Sequence, residues 1–196
     1  MRIIEVNSDY IDYLHKFDRF ISLDHKDGKT RKYLGIVFTK EQRQYCIPLS
    51  SPDESDYQNG KLRKSFFPCI FRISRYNAKN NKRIFLGKLL FNNMIPVCES
   101  VINEYDITKE TDVKYKNLLN NQIRLLRKPF YDGTLQKYAN KIYLEKLLNI
   151  DKGYIKNTVD FLLLEQKCDE WERLQSMQQN QKKLKTPVKK TAKLKL

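Results

Sequence analysis

The sequence has few of the residues from which metal sites are built. Its 196 residues include two histidines and four cysteines, and the cysteines, Cys46, Cys69, Cys98 and Cys168, lie far apart and form no CxxC pair. Structural zinc sites take their ligands from closely spaced cysteines and histidines. The sequence also lacks the HExxH motif and the carboxylate clusters of two-metal nucleases. We therefore expect no metal ion and no other cofactor.

Glycine-rich phosphate loops and long apolar runs are missing as well. The six glycines form neither a Walker nor a Rossmann pattern, which argues against nucleotide-binding enzymes of those classes. The first twenty residues mix charged with apolar side chains, unlike a signal peptide, and no run is apolar enough to span a bilayer. We therefore expect a cytoplasmic protein with reduced thiols and no membrane partner.

Acidic residues are scarce relative to basic ones. Lysine and arginine number 38 against 23 aspartates and glutamates, which gives a formal net charge of +15. Such an excess is typical of proteins that bind phosphate backbones. Seven lysines lie between Gln181 and Leu196, yet residues 1–180 keep +8 of the +15. The expected partner is a nucleic acid, bound by a single domain at 1–178 that is followed by a basic, flexible tail at 179–196.

Hydrophobic periodicity predicts an α+β fold. Alternating patterns predict strands at 2–6, 33–39, 44–49, 69–74, 84–91 and 94–101, with one early helix at 9–20. After Thr108 the spacing becomes helical, at 113–128, 135–148 and from 155 past Trp171, and Pro129 is expected to end the first of these helices. The prediction is a mainly antiparallel sheet followed by a helical C-terminal half.

The residues best suited to RNA chemistry flank the first predicted hairpin. Arg31 and Lys32 lead into it, and Ser50 and Ser51 follow its second strand. These segments lie side by side at the open end of an antiparallel hairpin. Without a metal ion, RNA is most simply cleaved by its own 2′-hydroxyl, which needs proton transfer and cations that stabilise the phosphorane. The four residues are candidates for this chemistry, the alternative being an ordinary turn with solvated charges.

A basic stripe is predicted on the helix at 113–128. Lys116, Asn120, Arg124 and Arg127 are spaced by four, four and three residues, which places them on one face. Such a stripe can contact RNA phosphates, and Tyr115 near its start can stack on a base. The alternative is a solvated helix face with Tyr115 packed in the core.

Four short segments occur in an order and spacing that resemble one protein family. They are SDYIDYL from Ser8, YLGIV from Tyr33, YCIPLSSP from Tyr45 and NMIPV from Asn93. Together they resemble the ToxN/AbiQ toxins of bacterial type III toxin–antitoxin systems over most of residues 1–130. The resemblance implies a compact, highly twisted antiparallel sheet, similar to that of Kid/MazF toxins, surrounded by helices. It also implies a metal-independent endoribonuclease that leaves a 2′,3′-cyclic phosphate and a 5′-hydroxyl.

The resemblance also implies which partners the protein has. Toxins of this family cut cellular and phage RNA, and they cut their own repeat-containing antitoxin precursor into small RNAs that bind back and inhibit them. The usual outcome is growth arrest or abortive phage infection. The expected partner is thus a small repeat-derived antitoxin RNA, and no protein antitoxin is expected.

The resemblance can be carried over to particular residues. Ser51 falls on the family's catalytic serine, Ser50 on the hydroxyl residue before it, and Arg31 or Lys32 on a basic position before the Gly-Ile-Val strand. Family members have a lysine soon after the Ser-Pro pair, where this chain has Asp53. An acid cannot stabilise a phosphorane, so that role passes to Arg31, Lys32, Lys61, Arg63 or Lys64. The predicted RNA-binding residues are Tyr10, Tyr33, Lys61, Arg63, Lys64, Tyr115, Lys116, Asn120, Arg124 and Arg127.

Two other functions are compatible with the sequence. A non-catalytic RNA-binding module would explain the charge and the basic stripe equally well, but it does not require serines beside Arg31 and Lys32. A Kid/MazF-like protein that recognises a protein antitoxin would need an exposed apolar groove and less positive charge. The arrangement around Ser50 and Ser51 favours the enzyme.

Overall fold

Strands make up the first half of the chain and helices the second. The computed structural model describes residues 1–23, 30–40, 42–63, 68–79 and 81–185. In these ranges the strands are β1 (Ile3–Val6), β2 (Lys32–Lys40), β3 (Arg43–Ser50), β4 (Tyr57–Gln58), β5 (Lys61–Leu62), β6 (Ile70–Asn77), β7 (Lys82–Leu90), β8 (Ile95–Val97) and β9 (Ile102–Glu104). The helices are α1 (Ser8–His15), α2 (Val113–Tyr131), α3 (Thr134–Leu147) and α4 (Phe161–Lys185). None of the described helices is both long and apolar enough to cross a membrane.

The main sheet is antiparallel and has β3 near its centre. The strands follow the order β6-β7-β3-β2-β1-β9, and β8 pairs with β3 off this path. One end of β3 pairs with β8 through Gln44–Cys46, whereas the other end pairs with β7 through Leu49 and Ser50. The residues from Tyr45 to Leu49 are all buried because β3 has neighbours on both edges and helices over the sheet. The predicted α+β class with a helical C-terminal half is confirmed.

Several element boundaries differ from those predicted. Helix α1 ends at His15, and Asp18 holds the turn that follows: its carboxylate accepts hydrogen bonds from the backbone N–H of Phe20 at 2.9 Å and of Asp160 at 2.7 Å. The predicted strand at 94–101 is divided into β8 and β9 by a short 3₁₀ helix at Glu99–Val101. Helix α2 continues through Pro129, which lies in its last turn, so only one hydrogen bond near the end is lost.

A group of aromatic rings joins the helical half to the sheet. Tyr45 of β3 lies within 5.5–6.1 Å, between ring centroids, of Phe38, Tyr143 and Phe161. The hydroxyls of Tyr45 and Tyr143 both donate hydrogen bonds to Glu165 of α4. Buried side chains from both halves form one cluster. The described residues therefore share a single hydrophobic core.

Two tyrosines predicted to bind RNA belong to this core. Tyr10 is 0% exposed, its hydroxyl donates to the carbonyl of Pro96 at 2.9 Å, and its ring lies 5.4 Å from that of Trp171. Burial raises the pKa of Tyr10 well above its usual range. Tyr33 is also buried. Neither ring can stack on a base, so both predictions are wrong; the apolar rings pack inward and only their hydroxyls need polar partners.

Tyr10→Phe should therefore affect stability and not RNA contact. The substitution leaves the buried carbonyl of Pro96 without its donor, so the free energy of unfolding should fall by about 1–3 kcal/mol. Urea unfolding followed by circular dichroism measures this change, and RNA binding measured in parallel should stay at the wild-type level. Unchanged stability with weakened RNA binding would show that Tyr10 contacts RNA after all.

Candidate active site

The open end of the β2–β3 hairpin brings the predicted catalytic segments together. Tyr33 pairs with Pro48 and Leu34 with Ile47. Extending this register by two residues sets Arg31 beside Ser50. The predicted side-by-side placement of these two segments is confirmed, with Ser51 exposed directly after the strand end.

Strand β7 adds a lysine on the other side of Ser50 that was not among the predicted site residues. Lys88 pairs with Ser50 across the β3–β7 ladder, so the two side chains point to the same face of the sheet. Its ammonium donates to Asp56 at 2.7 Å and to Asp53 at 3.0 Å. The available signal was a single lysine within the apolar run Ile84–Leu90. Ser50 therefore lies between two cationic residues, Arg31 and Lys88.

Asp53, which follows the Ser51-Pro52 pair, serves as an anchor for Lys88. One carboxylate oxygen of Asp53 accepts from the backbone N–H of Ser55 at 2.8 Å, and Asp56 accepts from the N–H of Asp53 at 3.0 Å. Hydrogen bonds from Ser55 and Lys88 hold the pKa of Asp53 below its usual range, so it stays ionised at neutral pH. These contacts fix the turn that follows Ser51.

Helix α2 touches the same strand end through a buried glutamine. Gln122 is 2% exposed, and its side-chain N–H donates to the carbonyl of Leu86 at 2.6 Å. Leu86 is the extra residue of a bulge, because Ile73 pairs with Gly87 whereas the next residue, Ser74, pairs with Phe85. The Oε1 atom of Gln122 is buried and has no hydrogen-bond partner in the described part of the chain.

Only glycine fits at position 87. Gly87 has φ of +130°, and a Cβ atom built there would lie 2.5 Å from the carbonyl oxygen of Ser50 and 2.7 Å from Nε2 of Gln122. Residues other than glycine rarely adopt such a φ angle, and neither distance leaves room for a methyl group. The backbones of β3 and β7 and the side chain of Gln122 therefore form one tightly fitted unit directly under Ser50.

Arg31, which precedes β2, and Lys32, the first residue of β2, have different surroundings. Lys32 is 8% exposed; it forms an ion pair with Glu5, donates to the carbonyl of Thr30 at 3.0 Å and lies 4.3 Å from the ring centroid of Tyr105. Its charge is paired with Glu5 inside the protein, and a catalytic role of Lys32 stays a prediction. Arg31 is half-buried and donates to the carbonyl of Leu23 at 3.3 Å.

Tyr115 of α2 belongs to the surroundings of Arg31. Burial, followed by the charges of Glu110 and Glu5, raises the pKa of Tyr115 to about 12, and Arg31 opposes this shift. The side chain is half-buried. At neutral pH its hydroxyl can donate a hydrogen bond or a proton but cannot accept a proton. Because the side chain is only half-buried, the alternative that Tyr115 lies wholly in the core is excluded.

The predicted basic stripe faces away from Ser50. Asn120, Arg124 and Arg127 are exposed on the side of α2 opposite to Gln122, and Lys116 donates to the backbone carbonyls of Thr108 and Glu110. The residues lie on one helix face, as the spacing predicts, but they do not border the serines. Their contact with RNA stays a prediction.

The remaining predicted residues lie near a small second sheet made of β4 and β5. Lys61 belongs to β5, and Arg63 follows it and donates to the carbonyl of Tyr57 at 3.2 Å. Lys64 lies outside the described residues. The backbone N–H of Arg63 donates to the carbonyl of Asp56 at 2.8 Å, which joins the end of β5 to the turn that holds Lys88. A contact of Lys61 or Arg63 with RNA stays a prediction.

Comparisons with known proteins identify the relatives of this arrangement. Residues 2–169 match the family described as toxin ToxN of the type III toxin–antitoxin system. Endoribonuclease AbiQ of Lactococcus lactis subsp. lactis is 29% identical, over 86% of this chain and 87% of that protein. Endoribonuclease ToxN of Bacillus thuringiensis subsp. kurstaki is 28% identical, over 85% of this chain and 81% of that protein.

A solved structure agrees with these sequence matches. It concerns type III toxin–antitoxin systems in which a non-coding RNA pseudoknot selectively inhibits the toxin. It superposes with a TM-score of 0.68 at 26% identity and covers 87% of this chain and 97% of its own. The overall fold is thus shared along nearly the whole of that protein.

Gly87→Ala should disturb both the fold and the site. The added methyl group meets backbone at Ser50 and must take an unfavourable φ, so we expect a loss of about 2–5 kcal/mol in the free energy of unfolding. Activity on RNA should fall as well, because Ser50 has to move. Gly133→Ala is the matched control: its φ is also positive, at +77°, but nothing lies within 4 Å of the added Cβ. Equal effects of both substitutions on unfolding would contradict the tight fit.

Proposed function

The chain belongs to the ToxN family of type III toxin–antitoxin toxins, and we propose that it cleaves RNA without a metal ion, at a site built around Ser51. It is an endoribonuclease, like its curated relatives ToxN and AbiQ. The observation that carries the proposal is the position of the two serines, at a strand end between Arg31 and Lys88. A guanidinium beside a pair of hydroxyls suits a phosphodiester that gains charge during the reaction.

The reaction proceeds within the RNA strand itself. The 2′-oxygen forms a bond to the neighbouring phosphorus, the bond from phosphorus to the 5′-oxygen breaks, and the products are a 2′,3′-cyclic phosphate and a 5′-hydroxyl. The 2′-hydroxyl gives up a proton and the leaving 5′-oxygen takes one up. Water or a neighbouring RNA phosphate accepts the first proton, because Tyr115 is already protonated at neutral pH.

Each group at the site has a distinct role in this proposal. Ser51 is exposed and donates a hydrogen bond to a non-bridging oxygen of the scissile phosphate, which Arg31 also contacts. Tyr115 is a candidate donor to the leaving oxygen. Lys88 is held by two carboxylates, so it positions the Ser50–Ser51 segment and fixes the turn after it. The carboxylates of Asp53 and Asp56 are both occupied by Lys88, which supports a mechanism without a metal ion.

The partner that restrains the toxin is an antitoxin RNA. A non-coding RNA pseudoknot inhibits the toxin in the similar solved system, and the net charge of +15 suits an RNA ligand here. We propose that this RNA is small and repeat-derived, that the toxin processes its precursor, and that no protein antitoxin takes part. The other substrates are cellular and phage RNA in the cytoplasm, and their cleavage causes abortive infection.

We assign the cleavage site to residues 1–178 and an accessory role to 179–196. The family match ends at residue 169, and helix α4 continues to Lys185. The seven lysines after Gln181 add phosphate contacts that strengthen binding without taking part in cleavage.

Ser51→Ala should abolish cleavage while the antitoxin RNA remains bound. Loss of one hydrogen bond to the developing phosphorane typically lowers the rate on the order of a hundredfold or more. Binding should change little, because many lysines and arginines share the phosphate contacts. Single-turnover cleavage and filter binding measure the two quantities, with Ser176→Ala on the exposed surface of α4 as control. Near wild-type cleavage by Ser51→Ala would show that Ser51 is a turn residue only.

Cleavage should persist in EDTA and should require the 2′-hydroxyl. We expect the purified protein to cut single-stranded RNA at an unchanged rate in the chelator and to leave DNA of the same sequence intact. Mass analysis of the fragments should detect the cyclic phosphate. Activity that disappears with EDTA and returns with magnesium would refute the mechanism, and RNA that is bound but never cut would favour a binding module.

A further inference from the structure

The β6–β7 hairpin carries an unusual excess of positive charge. Between Pro68 and Leu90 the sequence has six basic residues and no acidic residue. Those near the tip are Arg75, Lys79, Lys82 and Arg83, and none of them forms an ion pair within the described parts of the chain. Their charges therefore remain available to a ligand.

The strand register divides this charge between two faces. Arg72 pairs with Lys88 and Tyr76 with Arg83, and the side chains of such pairs share a face. The guanidinium of Arg72 lies 5.8 Å from the ring centroid of Phe85, which confirms that both lie on this face. Arg75 alternates with Tyr76 and so points to the other side. Because Lys88 also pairs with Ser50, this face is continuous with the candidate active site.

Exposed aromatic rings lie between the arginines. Tyr76 is 63% exposed, and Tyr57, which packs edge-on against Phe85 at 6.5 Å, is 38% exposed. Arg72 donates to the backbone carbonyl of Arg63, which brings the end of β5 onto the same surface. We call this surface the hairpin face, and its residues are Tyr57, Arg63, Arg72, Tyr76 and Arg83.

The composition of the hairpin face identifies its ligand. Aromatic rings that alternate with arginines are typical of surfaces that bind single-stranded nucleic acid, where bases stack on the rings and guanidinium groups contact phosphates. An acidic peptide would use the arginines but would leave two exposed tyrosine rings without a role. Lys88 and Arg83 pair with Arg72 and Tyr76, which are four residues apart on β6, a distance of about 13 Å. The face is therefore long enough for several nucleotides.

We propose that the hairpin face binds the single-stranded RNA that adjoins the scissile phosphate, with a base stacked on Tyr76 and a phosphate contacted by Arg83. The inference rests on the proposed function in that RNA is the substrate. The proposed subsite lies outside the segment that holds Ser50 and Ser51, on the opposite side of the sheet from α2. RNA that leaves Ser50 along β7 passes Arg72 and reaches Tyr76 at the hairpin tip.

A probe that cannot be cleaved tests this subsite without relying on catalysis. The probe is a short single-stranded RNA in which every 2′-hydroxyl is methylated, and its Kd is measured by fluorescence anisotropy at several salt concentrations. Arg83→Ala should weaken binding and flatten the salt slope by about 0.7, the value for one lost contact to a single strand. Arg75→Ala removes the same charge from the other face of the same hairpin and should leave the slope unchanged.

Two substitutions at Tyr76 separate stacking from charge. Tyr76→Ala should raise the Kd by about five- to 150-fold, the range for one stacked base, with no change in the salt slope. Tyr76→Phe keeps the ring and loses only the hydroxyl that bonds to Asn81, so its Kd should match the wild type. The side chains of Arg75, Tyr76 and Arg83 are all exposed, so the fold should tolerate each of these substitutions.

The outcomes distinguish the subsite from the cleavage mechanism. Equal effects of Arg83→Ala and Arg75→Ala would mean that only the net charge matters and would overturn the proposal, as would an unchanged Kd for Tyr76→Ala. Expected effects on the methylated probe, together with cleavage that fails in EDTA, would leave the subsite established and the metal-free mechanism refuted. Wild-type protein that does not bind the probe at low salt would refute RNA as the ligand of the hairpin face.

Discussion

The close approach of β7 to the end of β3 is the contact on which the candidate site depends. At this point the carbonyl of Ser50, the backbone of Gly87 and the amide of Gln122 lie too close together for any side chain at position 87. The bulge at Leu86 makes the approach possible, and Gln122 satisfies the carbonyl that the bulge leaves out of the ladder. The position of Ser50 is thus set by backbone packing, which varies less than the position of a loop.

Charge inside the site is organised by pairs and not by exposed lysines. Lys88 is held by Asp53 and Asp56, and Lys32 by Glu5, each with its ammonium largely withdrawn from water. Burying a charged pair costs desolvation energy that the attraction only partly offsets, so such pairs contribute orientation more than stability. Asp53, the acid that follows the Ser51-Pro52 pair, holds Lys88 of β7. Arg31 therefore supplies positive charge beside the serines, and Lys88 holds the turn in place.

Two positive surfaces formed by described residues differ in their position relative to the serines. The hairpin face is continuous with Ser50 through Lys88, whereas the exposed stripe on α2 lies on the far side of the helix from Gln122. The first of them adjoins the candidate active site, and the second does not.

The sequence by itself determined the α+β class, the antiparallel hairpin at β2–β3 and the meeting of Arg31 with Ser50. These follow from local periodicity and from the geometry of a hairpin, in which neighbours in space are near in sequence. Only the tertiary structure decided that Tyr10 and Lys32 are buried, that Lys88 borders Ser50, and that the hairpin face adjoins the site. The β3–β7 pair joins segments nearly forty residues apart, and its register depends on a bulge and on a glutamine from α2. Burial of an amphipathic tyrosine or lysine likewise depends on which distant elements cover it, and no local pattern contains that information.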